Sequence, residues 1–282
     1  MIGASFRAMG TTVQVTVRRE GHIAATRALF EDIEECCSRF RSSSELSQIN
    51  SSQATDIALT VCMTDVLGIA ADMRTRTDGL IDAGLGAVVS GWGYNRSFDE
   101  IGDTTTPILL APKPDWSVAD GTLHRSWGTK LDLGGIAKGW ACDRAVNEGG
   151  ALIVNAGGDV RSASPEAVVE VMDPWGHCVA RVPLGVGALA TSSTTRRRWN
   201  TTDGEAHHLI DPRTMSPSVS PIVSATVVAS TAVEAEAGAK AMLLHGVGGL
   251  AWASSRPWIN GALAVWSDGS VYATSDLEMQ AA

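Results

Sequence analysis

The chain has 282 residues, 44% of them hydrophobic, enough to bury the core of one large domain or two closely packed lobes. Its 22 Lys and Arg against 31 Asp and Glu give a formal charge of −9, which argues against a nucleic-acid partner, because phosphate backbones are met by concentrated basic side chains. No apolar run is long enough to span a bilayer and no leader-like segment opens the chain, so a cytoplasmic protein is expected.

In chain order, Thr11 to Val17 alternates and is rich in β-branched residues, which predicts a strand. Leu29, Phe30, Ile33, Cys36, Cys37 and Phe40 recur at helical spacing, and a second helix is expected over about residues 60–77. Lys130-Leu131-Asp132-Leu133-Gly134-Gly135-Ile136-Ala137-Lys138-Gly139 reads as a strand handing over through a glycine turn to a helix that runs to about Glu148. A strand over residues 151–155 should follow, with short strands near 168–172 and 226–229. Thr231 and Glu234 have the spacing of a capping box, so a helix should begin there and stop at Gly246. Residues 261–266 and 271–273, joined through Ser267-Asp268-Gly269, predict a closing hairpin. The mixture indicates an α+β or α/β fold, with neither a fixed-period repeat nor a long Pro/Ser/Gly linker.

Several features admit bland readings. Cys36, Cys37, Cys62, Cys142 and Cys178 are odd in number and lack zinc spacing, so they read as reduced thiols. Arg196-Arg197-Arg198 is equally a solvated loop or a contact for cofactor phosphate. Gly185-Val186-Gly187-Ala188-Leu189-Ala190 fits the wording of a dinucleotide fingerprint, but no helical pattern follows, and it reads as a strand approaching a loop at Ala190-Thr191-Ser192. His207 and His208 are adjacent, so in extended chain they point to different sides and do not suit a joint metal site with Asp211.

The segment around Gly134 and Gly135 is the most telling. Glycines let backbone approach a ligand closely, and the N–H groups opening the next helix attract anions. Asp132 would by itself repel a phosphate, which implies a bridging cation or a base or ribose partner. Around it stand Met9-Gly10-Thr11, Ser38-Arg39-Phe40-Arg41, Ser44 to Asn50, Asp78-Gly79-Leu80-Ile81-Asp82, Trp92-Gly93-Tyr94, Val154-Asn155-Ala156-Gly157-Gly158-Asp159, Ala190-Thr191-Ser192 and His208-Leu209-Ile210-Asp211-Pro212-Arg213-Thr214. In this order the series resembles the ApbE family, the FAD:protein FMN transferases, from about Phe6 to Gly246.

The resemblance implies an ApbE-like fold over residues 1–282 with a cofactor cleft between lobes. It implies FAD as the flavin nucleotide, cleaved at its pyrophosphate with magnesium's help, FMN passing to a Thr or Ser hydroxyl of an acceptor protein while AMP leaves. Met9, Phe40, Leu80, Ile81 and Asp82 then match positions lining the FAD site, Asp132, Gly134, Gly135 and Lys138 lie beside its phosphates, and Thr191 and Ser192 match another cofactor-binding loop. His208 and Asp211 match a functional His-x-x-Asp pair, the histidine suited to accept the acceptor hydroxyl's proton; a structural hydrogen bond in the Asp211-Pro212 turn is the competing role for His208.

Departures from the family pattern are as informative. Its magnesium is held by an Asp and, four residues on, a Thr, with a backbone carbonyl of the glycine turn, here Gly135. The two helix positions are Glu236 and Lys240 in this chain. Glu four residues before Lys favours an ion pair, and an ammonium opposes magnesium, so loss or weakening of the metal site is expected. Lys240 either replaces the metal as a fixed cation or merely neutralises Glu236, or the pair is a plain surface contact. Ser193 and Met215 stand where the family has glycines, and Thr195 where it has an aromatic residue. The alternatives to FMN transfer, or to hydrolysis of FAD, are a non-catalytic FAD binder and an enzyme reusing the pocket for other chemistry.

Overall fold

The structure, a computed structural model, describes residues 1–101, 104–108 and 113–280. Among them are seven α-helices: α1 (Gly21–Cys37), α2 (Glu45–Ser51), α3 (Val61–Arg76), α4 (Gly86–Gly91), α5 (Ala137–Asn147), α6 (Ala232–His245) and α7 (Gly249–Ser254). The chain divides into two compact units, one of residues 1–31, 138–195 and 219–282, the other of residues 32–137 and 196–218.

The first unit is built on an eight-stranded antiparallel sheet whose strands lie side by side in chain order: Ile2–Ala8, Thr11–Val17, Ala151–Ala156, Asp159–Ser162, Gly187–Ser193, Ile222–Ala229, Ile259–Trp266 and Val271–Ala273. Register fixes what each face carries, since alternate residues point to opposite sides. Ala156 pairs with Asp159, Asp159 with Ala190, Ala190 with Val227, and Val227 with Ala262, so these share one face. Small side chains there let α6 lie close: a Cβ on Gly238 would meet Val227 Cγ1 at 3.1 Å. The other face carries Val160, Leu189, Leu263 and Val265, packed with Val171, Ala180 and Val182 of the ribbon formed by Val169–Met172 and Cys178–Val182.

In the second unit, Asp56–Ala58, Thr122–Arg125 and Trp116–Ala119 form one small sheet, and Gly204–His207, Arg198–Thr201 and Thr104–Thr105 another. The Arg125 guanidinium donates to the carbonyls of Ile49 at 2.9 Å and Ser52 at 2.7 Å, closing the C-terminal end of α2. A second core joins Leu85, Val88, Val89, Tyr94, Trp199 and Ile210.

Most expected elements are present, with instructive exceptions. The helix bearing Phe30 and Ile33 ends at Cys37, not Phe40, because the Ser38 hydroxyl accepts the N–H groups of Phe40 at 3.1 Å and Arg41 at 3.2 Å and turns the chain. No strand precedes Gly134: Lys130 makes one isolated bridge to Leu85, and the Asn50 side chain takes both backbone groups of Leu131, at 2.7 and 2.8 Å, the place of a strand partner. Thr191 and Ser192 lie within a strand and not a loop, held by pairing to Thr226 and Ala225. The strand expected at 226–229 begins at Ile222.

Candidate functional site

Four charged side chains meet where α5 and α6 cover the first unit's sheet. Glu236, fully buried on α6, accepts through Oε1 from Lys138 Nζ at 2.5 Å and Lys240 Nζ at 2.8 Å, and through Oε2 from the Gly139 N–H at 2.8 Å. Lys138 also reaches Asp159 Oδ2 at 2.5 Å. The four-residue spacing of Glu236 and Lys240 brings them together on one helix face. Burial opposes the Lys138 charge, but Asp159 and Glu236 outweigh it and hold this ammonium above the usual lysine range. Burial likewise opposes the Glu236 charge, and the two lysines overcome it, keeping the carboxyl below its ordinary range. Lys240 is pushed down by burial, with Glu236 offsetting and Lys138 adding to the effect. Asp159 is raised by burial and by Glu236 beside it.

The two helices also terminate each other. Asp143 of α5 accepts from the N–H groups of Ala232 at 2.8 Å and Val233 at 3.0 Å in the first turn of α6, and pairs with Arg161 at 3.1 Å. Glu236 of α6 returns this at the first turn of α5 through Gly139. Both carboxylates sit where helix N-termini carry partial positive charge. Thr231 and Glu234 complete the capping box expected from sequence.

Turns crowd the sheet end next to Asp159. Met9 and Gly10, at φ 50° and 69°, join the first two strands, and Gly157 and Gly158, at φ 69° and 108°, join the third and fourth. A Cβ on Gly157 would lie 2.5 Å from Thr11 Oγ1, and the Thr191 N–H donates to the Gly158 carbonyl at 3.1 Å. Thr191 and Ser192 face opposite sides of the sheet; Thr191 Oγ1 shares a 2.9 Å hydrogen bond with Thr226 Oγ1, and Ser192 is buried on the side of Ala225. Ser193, in a family glycine position, bonds Thr195 Oγ1 and the Val223 carbonyl, each at 2.8 Å.

The remaining predicted residues lie in the second unit. Asp132 pairs with Arg39 Nε at 2.5 Å and accepts from the Gly134 N–H at 2.6 Å, so its charge is answered by Arg39 and the turn it shapes. Gly135 follows in that turn, before α5. Arg39 lies 4.8 Å from the centroid of the exposed Phe40 ring and 5.3 Å from that of Tyr94. Leu80 and Ile81 are buried, and Asp82 accepts from Trp116 Nε1 and the Gly84 N–H, both at 2.8 Å, and pairs with Arg74 at 3.1 Å. His208 is half-buried between the strands Gly204–His207 and Ile210–Asp211. Asp211 takes the Arg213 guanidinium at 2.7 Å, and Met215 ends this turn at φ 57°, a left-handed conformation that suits the glycine found there in the family. His207 donates from Nε2 to the Ser218 carbonyl at 2.9 Å and accepts the Leu209 N–H at Nδ1, a structural arrangement. Of the basic run, Arg198 pairs with Glu205.

Sequence reasoning assigned no role to Arg39, Asp143 or Asp159. The motifs containing them were visible, and an acidic residue directly after Gly157-Gly158 was the available signal for Asp159.

Residues 9–262 match the sequence model that defines the ApbE family. This chain belongs to the ApbE family. It is 29% identical over 254 residues to an FAD:protein FMN transferase of Rhodobacter capsulatus, covering 83% of this chain and 48% of that relative. The corresponding protein of Haemophilus influenzae is 26% identical over 271 residues, covering 84% and 78%. The chain thus spans about half the length of the first relative. Among solved structures, the ApbE protein of Thermotoga maritima matches with a TM-score of 0.86 at 24% identity over 97% of both chains. Flavin transferase ApbE of Vibrio cholerae matches with a TM-score of 0.79 at 23% identity, over 98% of this chain and 97% of that one. These establish a shared ApbE fold of mixed helix and sheet.

The magnesium implied by the family does not fit the residues present. Magnesium takes oxygen ligands in near-octahedral geometry, whereas Glu236 is enclosed by two ammonium groups and an N–H. Among the described residues, no cluster of three or more His, Cys, Asp and Glu is arranged to hold a metal ion.

Proposed function

We propose that this chain is an FAD:protein FMN transferase that moves FMN from FAD to a threonine or serine hydroxyl of an acceptor protein. The observation carrying this reading is the ordered set of motifs inside the family match over residues 9–262. In the proposed reaction the acceptor oxygen attacks the phosphorus on the FMN side of the pyrophosphate. The new P–O bond forms as the bond to the AMP phosphate breaks, and AMP leaves with the electron pair.

His208 is assigned as the base that takes the hydroxyl proton, which suits a group titrating near neutrality. Asp211 shapes the turn after it through Arg213. By their motif positions, Met9, half-exposed, and Phe40, exposed, are assigned to the flavin nucleotide, as are Leu80, Ile81 and Asp82. Asp132 with the Gly134-Gly135 turn, Lys138 and the Thr191-Ser192 strand are assigned to its polar half. The five free thiols fit a reducing compartment, the cytoplasm.

Purified protein incubated with FAD and a threonine-bearing acceptor should release AMP in step with covalent flavin on the acceptor. His208→Asn should slow transfer by about 100-fold while FAD affinity is unchanged. FAD binding without AMP release by the native protein would replace the transferase reading with that of a flavin carrier.

A further inference from the structure

The crossing of α5 and α6 is electrically complete before any ion approaches it. Two lysines and two carboxylates sum to zero, and Glu236, between them, has Oε1 shared by both ammonium groups and Oε2 bound to the Gly139 N–H. A dication seeking this carboxylate would meet two like charges in its first neighbours, and it would find Asp159, the next carboxylate, already engaged by Lys138.

Of the two ammonium groups, Lys240 has capacity to spare. Among the described residues it makes one ion pair, with Glu236, where Lys138 makes two; the two side chains are similarly enclosed, at 11% and 15% exposure. An ammonium carries three N–H donors, and lysine serves phosphate as a point charge.

We infer that this chain excludes a divalent cation from the α5–α6 contact and holds the pyrophosphate of a flavin dinucleotide by the fixed charge of Lys240, seated on Glu236 beside Lys138. The pyrophosphate contact rests on the flavin-transfer reading above; the exclusion of the cation rests on the charge cluster itself. One positive charge replaces two, so the nucleotide is gripped less strongly than by a dication but independently of metal supply.

Manganese titration followed by electron paramagnetic resonance should leave the native protein's aqueous Mn²⁺ signal undiminished. The Glu236→Asp, Lys240→Thr variant should take up one ion, and Lys240→Gln provides a single-site comparison should the double variant fail to fold. In parallel, FAD titration followed by flavin fluorescence should give dissociation constants that agree within about threefold in chelator and in magnesium. Lys240→Gln should weaken FAD by about tenfold under both conditions.

Stoichiometric Mn²⁺ binding by the native protein, or loss of FAD binding in chelator, overturns the inference, as does a Lys240→Gln variant that binds FAD normally. A native protein that binds no FAD under either condition instead overturns the flavin-transfer reading, and the pyrophosphate contact with it, while the manganese titration judges cation exclusion separately.

Discussion

At the scale of single residues, two backbone and side-chain details carry measurable consequences. Met9 occupies the left-handed region at φ 50° in a two-residue hairpin turn, where the conformation costs most side chains about 1–2 kcal/mol and asparagine is at ease. Met9→Asn should raise stability by about 1 kcal/mol in urea denaturation and weaken FAD binding, an exchange of stability for function common at strained sites. His207 is buried, and burial holds its pKa below the usual histidine value. Its Nδ1 accepts the Leu209 N–H only when unprotonated. Below the unfolded-state pKa the unfolded chain takes up a proton that the folded one resists, so this contribution is present above about pH 6.5 and lost as pH falls. Melting temperature should therefore drop between neutral and mildly acidic pH, and His207→Gln should flatten the decline; an unchanged slope would assign the effect to other groups. None of this was legible in the sequence, where Met9 is recognisable as a motif member and His207 only as the neighbour of His208, and neither φ nor tautomer can be deduced.

At the scale of elements, the helices were the most legible part. The helix expected over about residues 60–77 runs from Val61 to Arg76, and Thr231 with Glu234 does open α6, because a capping box is a local signal that the chain satisfies within one turn. The hairpin joining Trp116–Ala119 to Thr122–Arg125 through Asp120-Gly121, at φ values of 50° and 69°, was not anticipated. The segment before Gly134 misled because its partner is a side chain, Asn50, from 81 residues away. The charge cluster was half legible: Glu236 and Lys240 announce their pairing by spacing, whereas Lys138 and Asp159 join it only through packing of α5 on the sheet. The crossing of α5 and α6 beside it is tight. A Cβ on Gly139 would stand 2.6 Å from the Ala232 carbonyl oxygen and 2.9 Å from the Val233 nitrogen, both backbone atoms. Gly139→Ala should cost about 1–3 kcal/mol by denaturation, with the helices forced apart at their crossing.

At the scale of the whole molecule, the large sheet is assembled in chain order yet is far from local. Thr11–Val17 pairs directly with Ala151–Ala156, and Gly187–Ser193 with Ile222–Ala229, so long stretches of chain must be closed before neighbouring strands meet. Such closure is paid in entropy ahead of any reward from pairing. Refolding from denaturant, followed by the fluorescence of the nine tryptophans, should extend to the order of seconds or longer; completion within a millisecond would contradict this account. Alternation marked Thr11–Val17 and the closing hairpin, but Ile2–Ala8 and Asp159–Ser162 were not read as strands, and neighbours in the sheet were not readable at all, since register depends on which distant segment returns. The mutual termination of α5 and α6 has an experimental corollary. Glu236 fastens Gly139 at a distance of 97 residues in sequence, so any variant at Glu236 mixes a scaffold defect with a change in local charge. Asp143→Asn disturbs the same helix crossing from its other side, where its partners are Ala232, Val233 and Arg161 and neither lysine is touched. Comparing the two variants subtracts architecture from chemistry.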